Sequence, residues 1–115
     1  MLVWLPVEDD RLRRAWLDAI LADATLLFVS SVTAFEFEDL RHRHRIEAPY
    51  SIADLTDRYQ MTLLTFPADA ARAAAKLPQI HRDPVDRMTI AHALSEDLIL
   101  VTADANMRKY PVRLL

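Results

Sequence analysis

The stretch HRDPVDRMTIAHALSEDLILVTAD (residues 81–104) decides how the rest of the chain is interpreted. Pro84 suits the first position of a helix, where the missing N–H costs no hydrogen bond, so Asp83 falls at the N-cap and Asp86 in the first turn. Residues 98–101 form an apolar run typical of a strand buried on both faces of a parallel sheet, and Asp104 follows at its carboxyl end. Ligands of such sheets bind beyond the carboxyl ends of the strands. The sequence therefore predicts an acidic pocket shared by a helix start and a strand end.

The composition of the chain limits its size and its chemistry. With 115 residues, 52% of them hydrophobic, it is predicted to be a single small domain with a real core. The net charge of −3 gives no overall basic field for nucleic acid. The absence of cysteine excludes disulfides and thiolate metal sites, and the absence of glycine excludes the glycine-rich loops that bind phosphates.

The chain also lacks the apolar segments that membrane proteins need. No apolar run approaches the roughly 20 residues that span a bilayer. The apolar start at residues 1–6 has no basic segment before it, unlike a signal peptide. We therefore expect a cytoplasmic protein that does not interact with membranes.

Strand-like and helix-like segments alternate along the sequence. Predicted strands cover residues 26–30, 61–66, 98–103 and 112–115. Predicted helices run from about residue 9 or 10 to 22 and over 32–44, 52–59 and 68–77, and a further helix begins at Pro84. This alternation predicts an α/β fold in which a central, mostly parallel sheet lies between helices, a three-layer α/β/α sandwich.

Three segments carry a family resemblance: HRDPVDRMTIAHAL, LILVTAD and, upstream, SSVTAFE (residues 30–36). Together they resemble PIN-domain ribonucleases of the VapC toxin type. The resemblance implies a PIN-like fold and assigns Glu36, Asp86 and Asp104 as catalytic, metal-binding carboxylates for Mg²⁺ or Mn²⁺. It also implies that the protein is the toxin of a toxin–antitoxin pair that hydrolyses RNA, with a cognate antitoxin as partner and a homodimer as the expected assembly.

The chemistry of phosphodiester cleavage agrees with this ligand set. The reaction needs an activated water and neutralisation of developing charge, and a divalent cation supplies both. Hard cations such as Mg²⁺ prefer carboxylate oxygens. No covalent nucleophile is required, which suits a chain without cysteine.

Each acidic residue also has a purely structural interpretation. Thr33-x-x-Glu36 has the spacing of a capping box, in which Glu36 only accepts a backbone hydrogen bond. Asp83 and Asp86 suit the positive end of a helix whatever their function, and Asp104 could start a turn. Because Glu36, Asp86 and Asp104 fall at matching points of one fold and the family resemblance assigns them this role, we favour the metal site for these three. Asp83 is predicted to be an N-cap first and an outer-shell carboxylate second.

A basic cluster ends the predicted helix over 32–44. Arg41, Arg43 and Arg45 are candidate RNA-phosphate contacts, together with Arg82, and the alternative is a solvated helix end that favours cations. His92 is predicted to be structural. Large aromatic side chains are expected in the core or an interface: Trp4, Trp16 and Phe35.

The N-terminus departs from the PIN pattern. That pattern opens with a central strand ending in an aspartate and continues with a short apolar helix. Residues 2–5 resemble that helix, so we expect the strand and its aspartate to be missing, the chain to be truncated relative to the family, and the true start to lie upstream of Met1. Without that strand and its aspartate, the chain is expected to cleave RNA poorly.

Two other functions fit the same sequence. The first is a catalytically impaired PIN-like module that binds an antitoxin or another protein partner. The second is an enzyme of similar topology that acts on DNA or on a small phosphate ester.

Overall fold

The computed structural model describes residues 2–3, 26–80, 83–101 and 105–114. In the described part of the chain, strands alternate with helices that come in consecutive pairs after the second and the third strand, and a 3₁₀ helix near the C-terminus spans Ala105–Lys109. The strands are β1 (Leu2–Val3), β2 (Phe28–Ser30), β3 (Thr62–Leu64) and β4 (Leu100–Val101). The helices are α1 (Ser31–His42), α2 (Ile52–Arg58), α3 (Ala68–Lys76) and α4 (Pro84–Ser95).

The four strands form one sheet in the order β3-β2-β1-β4, and the pairs β1–β2, β1–β4 and β2–β3 are all parallel. The alternation of strands and helices thus produces the α/β class predicted from the sequence. A parallel sheet brings the carboxyl ends of its strands to one edge, and α1 begins directly after β2 at that edge.

The centre of the sheet corrects the prediction for the N-terminus. We expected residues 2–5 to be helical and the central strand to be absent. Instead, Leu2 and Val3 pair with Leu100 and Val101 on one side, and Leu2 pairs with Phe28 on the other. The pattern of apolar residues misled because a short apolar run fits a strand as well as a helix, and pairing on both sides decides between them. Residues 4–5 lie outside the described part of the chain.

The other strands are shorter than their apolar runs. The strand predicted over residues 26–30 is reduced to β2, and the one predicted over 61–66 is reduced to β3. Residues 102–104 lie outside the described part of the chain. In place of a strand over 112–115, Leu114 makes an isolated parallel bridge to Leu100. The helix predicted from about residue 9 or 10 to 22 also lies outside the described residues.

The helix starts agree closely with the sequence signals. Ser51 and Asp54 form a reciprocal capping box at α2, with hydrogen bonds of 3.0 and 3.1 Å. Pro84 occupies the first turn of α4, and the Asp83 carboxylate accepts a 2.9 Å hydrogen bond from the Val85 N–H. The predicted N-cap role of Asp83 is therefore confirmed.

Three helices end in a left-handed residue that is not glycine. After α1, α2 and α4 the chain turns through a left-handed residue, namely His44, Gln60 and Asp97, with φ between 51° and 54°. Backbone hydrogen bonds from Arg45 to Leu40, from Met61 to Thr56 and from Leu98 to Ala93 close these ends as Schellman motifs. Glycine normally takes this conformation, and the chain contains none.

The core lies between α4, β4 and the C-terminal segment. Its buried members are Ile90, Ala93, Leu100, Met107 and Tyr110. The Tyr110 hydroxyl donates a 2.7 Å hydrogen bond to the Pro78 carbonyl, which ties the C-terminal segment to the loop before α4. None of the helices in the described ranges is long and apolar enough to cross a membrane.

Candidate active site

Glu36 lies in the second turn of α1 and is half-buried. Burial raises the pKa of its carboxyl above the ordinary 4.5, and the negative charges of Asp86, Asp83 and Asp39 raise it further, in that order. A carboxylate feels such repulsion only from close neighbours. The fold has therefore brought Glu36 close to the first turn of α4.

The first turn of α4 supplies the facing acidic group. Asp83 caps the helix, Pro84 follows it, and Asp86 lies in the first turn with its side chain half-buried. The positive end of the helix stabilises a carboxylate there. Packing between α1 and α4 sets the separation of Glu36 and Asp86.

The structural interpretation of Glu36 as half of a capping box is wrong. The N-cap of α1 is Ser30, whose hydroxyl accepts a 3.2 Å hydrogen bond from the Val32 N–H. Thr33 lies inside the helix and is buried. Glu36 is consequently too far along α1 to cap it, and its position has to be explained by something other than the helix start.

Asp104, the third predicted ligand, lies outside the described residues. Within the described ranges, no group of three histidine, cysteine or acidic side chains is close enough to hold a metal ion. Glu36 and Asp86 alone still suit Mg²⁺, which commonly binds through one or two carboxylates and keeps several waters. The residues present therefore fit a hard divalent cation.

A buried hydrogen bond connects the two helices that carry these carboxylates. The Ser30 hydroxyl and Nδ1 of His92 are 2.8 Å apart, and both residues are fully buried. Burial lowers the pKa of His92 and so favours the neutral ring, an effect that Glu96 and Asp69 partly offset. We expected a structural role for His92 but missed its partner, because 62 residues separate the two in the chain.

Comparison with known proteins identifies the fold. A sequence model described as PIN domain matches residues 2–112. The chain belongs to the PIN domain family. Among solved structures, a chain of VapBC2 from Rickettsia felis, bound to a DNA fragment from its promoter, has a TM-score of 0.64 and 16% identity. The match covers 86% of this chain and 80% of that chain. Comparison with curated proteins gave no match.

Two of the predicted RNA-binding arginines of this PIN domain are engaged within the protein. Arg41 donates to the Ala48 carbonyl at 3.0 Å and to Glu38 at 3.3 Å, which fixes the loop after α1. Arg43 pairs with Asp39 at 3.1 Å. Arg45 is exposed with no described partner, and Arg82 lies outside the described residues. Of the described arginines in the cluster, Arg45 is the one best placed to contact a phosphate.

Phe35 was expected in the core or in an interface, and the structure excludes the core. Its side chain is 70% exposed on α1, beside Glu36 in the sequence, so it is not part of the core of the PIN domain. The helical period explains this, because the buried side chains Thr33, Ala34 and Phe37 occupy the opposite side of α1. Trp4 and Trp16 lie outside the described residues.

An apolar pocket of about 200 Å³ lies between α3 and α4. Alanines of α3, Phe66, Met88 and the Arg87 side chain line it. The Nε atom of Arg87 is buried with no hydrogen-bond partner in the described part of the chain. Glu36 and Asp86 do not line this pocket, so it is separate from the acidic pair.

Proposed function

We propose that the protein is an Mg²⁺- or Mn²⁺-dependent endoribonuclease that acts as the toxin of a toxin–antitoxin pair. The observation that carries the proposal is the approach of half-buried Glu36 on α1 to Asp86 and Asp83 in the first turn of α4, whose charges act on its carboxyl. Membership of the PIN domain family supports a nuclease. Cytoplasmic location is part of the proposal.

The acidic pair has properties that suit cation binding. Without a cation, Glu36 and Asp86 repel each other, and the raised pKa means that Glu36 holds its proton more tightly than usual. A bound divalent cation would replace that proton and remove the repulsion. Both carboxylates are held on helices, so their oxygens are positioned before the cation arrives.

Each residue of the site would then have a separate role in phosphodiester cleavage. The cation supplies Lewis acidity and lowers the pKa of water bound to it. Glu36 and Asp86 would hold it, with Asp104 as the proposed third ligand. Asp83 keeps α4 in place through its hydrogen bond to Val85 and adds negative charge next to Glu36. Arg45 is the proposed contact to a phosphate of the RNA backbone.

The comparison with solved structures supports the proposal of an antitoxin partner. The similar chain belongs to VapBC2 from Rickettsia felis, which was solved bound to promoter DNA. For the present chain we propose a cognate antitoxin protein as partner and a homodimer as the assembly.

One observation favours a second function, a catalytically impaired PIN module that binds an antitoxin or another protein. In the family pattern given above, the first strand ends in an aspartate, whereas Trp4 follows β1 in this sequence. If the described strand stands in for the family's first strand, one acidic ligand is replaced. The two functions make opposite predictions for RNA cleavage.

The test is incubation of structured RNA with the purified protein and millimolar Mg²⁺ or Mn²⁺, read on a gel. We expect slow cleavage that EDTA abolishes and that Glu36→Gln and Asp86→Asn each reduce about 100-fold or more, because ligands of one metal act as a unit. Asp57→Asn is the matched control, since it removes the same charge from an exposed position on α2.

Expression in a bacterial host tests the toxin role separately. We expect growth arrest by the unaltered protein and by Asp57→Asn, and normal growth with Asp86→Asn. Cleavage that persists in Glu36→Gln and Asp86→Asn would contradict the proposed site. A folded protein that binds Mn²⁺ but cleaves no RNA would favour the impaired module.

A further inference from the structure

The buried pair Ser30–His92 connects the two helices of the acidic site. Ser30 is the last residue of β2 and the N-cap of α1, which carries Glu36. His92 lies on α4, which carries Asp86. Glu36 follows Ser30 by six residues, and His92 follows Asp86 by six, so the hydrogen bond lies about 9 Å along each helix from the carboxylate that the helix carries.

Both partners of this hydrogen bond make a further contact. The Ser30 hydroxyl accepts from the Val32 N–H at 3.2 Å, so its single proton is free to be donated to Nδ1 of His92 at 2.8 Å. The Phe66 ring packs edge-to-face against the imidazole, with 5.4 Å between the ring centroids. The imidazole is therefore held by a polar contact at Nδ1 and by an aromatic contact, while its Nε2 atom is buried with no hydrogen-bond partner in the described part of the chain.

We infer that His92, through Ser30, is a positioning residue for the cation site: it fixes α1 against α4 so that Glu36 and Asp86 face each other. The inference rests on the proposed function, since it concerns the same cation. Residues that orient metal ligands without touching the metal are commonly worth 10–100-fold in affinity. Ser30 and His92 act on the metal ligands only through α1 and α4. We therefore expect an effect on cation affinity at the lower end of that range.

The experiment titrates Mn²⁺ alone into the folded full-length protein by calorimetry and measures unfolding in parallel. We expect His92→Leu and Ser30→Ala each to weaken Mn²⁺ binding about 10-fold. The double variant should bind no worse than either single variant, because both changes break one interaction. His92→Asn should stay within about twofold of the unaltered protein, since its amide replaces Nδ1 as a hydrogen-bonding group.

A matched control separates positioning from simple loss of stability. Ile90→Val alters a fully buried side chain on the same helix without touching the polar pair, so it should lower the stability and leave Mn²⁺ affinity unchanged. If His92→Leu does not fold, His92→Asn and His92→Gln decide instead. The Gln amide reaches the position of Nε2 rather than that of Nδ1, so we expect Gln to bind Mn²⁺ more weakly than Asn.

The outcomes distinguish the inference from the proposed function. Unchanged Mn²⁺ affinity in folded His92→Leu, or equal affinities for the Asn and Gln variants, would overturn the positioning role and leave the cation site standing. No Mn²⁺ binding by the unaltered protein would overturn the proposed function and the inference with it.

Discussion

At the scale of single residues, Glu36 shows how the fold sets the chemistry of a side chain. In a free helix it would be an ordinary surface glutamate. Here burial and the carboxylates of Asp86 and Asp83 raise its pKa, so the ionised form destabilises the protein when no cation is bound. The same arrangement is what makes the position attractive to a divalent cation.

The raised pKa of Glu36 predicts that Glu36→Gln increases the stability of the protein, by an amount that depends on pH. A carboxyl whose pKa is raised on folding keeps its proton better in the folded state, so stability is lost as the pH rises from the ordinary 4.5 through the folded pKa. In EDTA at pH 7, Glu36→Gln should therefore unfold at a higher urea concentration than the unaltered protein. The gain should shrink as the pH falls towards 4. A variant that is less stable at pH 7, or a difference independent of pH, would contradict this account.

At the scale of elements, the sequence predicted helix starts better than strands. Ser51, Asp83 and Pro84 act through local hydrogen bonds and a fixed φ, so their effect can be read from neighbouring residues. The strand at residues 2–3 forms by pairing with β2 and β4, which lie far away in the sequence. An apolar run of that length does not reveal such partners.

The left-handed residues at the helix ends lead to a prediction about substitution by glycine. Gln60 holds a left-handed conformation at the end of α2 with an exposed side chain. Because that conformation costs a residue with a Cβ atom more than it costs glycine, Gln60→Gly should stabilise the protein by about 0.5–1 kcal/mol in urea unfolding. Asp57→Gly, inside the same helix, should destabilise it. Loss of stability in Gln60→Gly would show that the Gln60 side chain makes a contact of its own.

At the scale of the whole molecule, the sequence predicted which residues the fold brings together but not what holds them there. The family resemblance assigned Glu36 and Asp86 to one site, and the effect of Asp86 on the pKa of Glu36 shows that the two carboxyls lie near each other, whereas their role as metal ligands stays a prediction. The Ser30–His92 bond was not predictable, since a serine and a histidine that are far apart in the chain carry no periodic signal. The contact of Arg41 with the Ala48 carbonyl was not predictable either, since it depends on the path of the loop after α1, and the role of the arginine cluster in RNA binding stays a prediction.

The central claim is that Glu36 and Asp86 together form a site for a divalent cation. Calorimetric titration of Mn²⁺ at pH 7 into the unaltered protein, Asp86→Asn and Asp57→Asn tests it most directly. The account predicts binding by the unaltered protein and by Asp57→Asn, and an affinity at least about 100-fold weaker in Asp86→Asn. Equal Mn²⁺ affinity in all three proteins would contradict it.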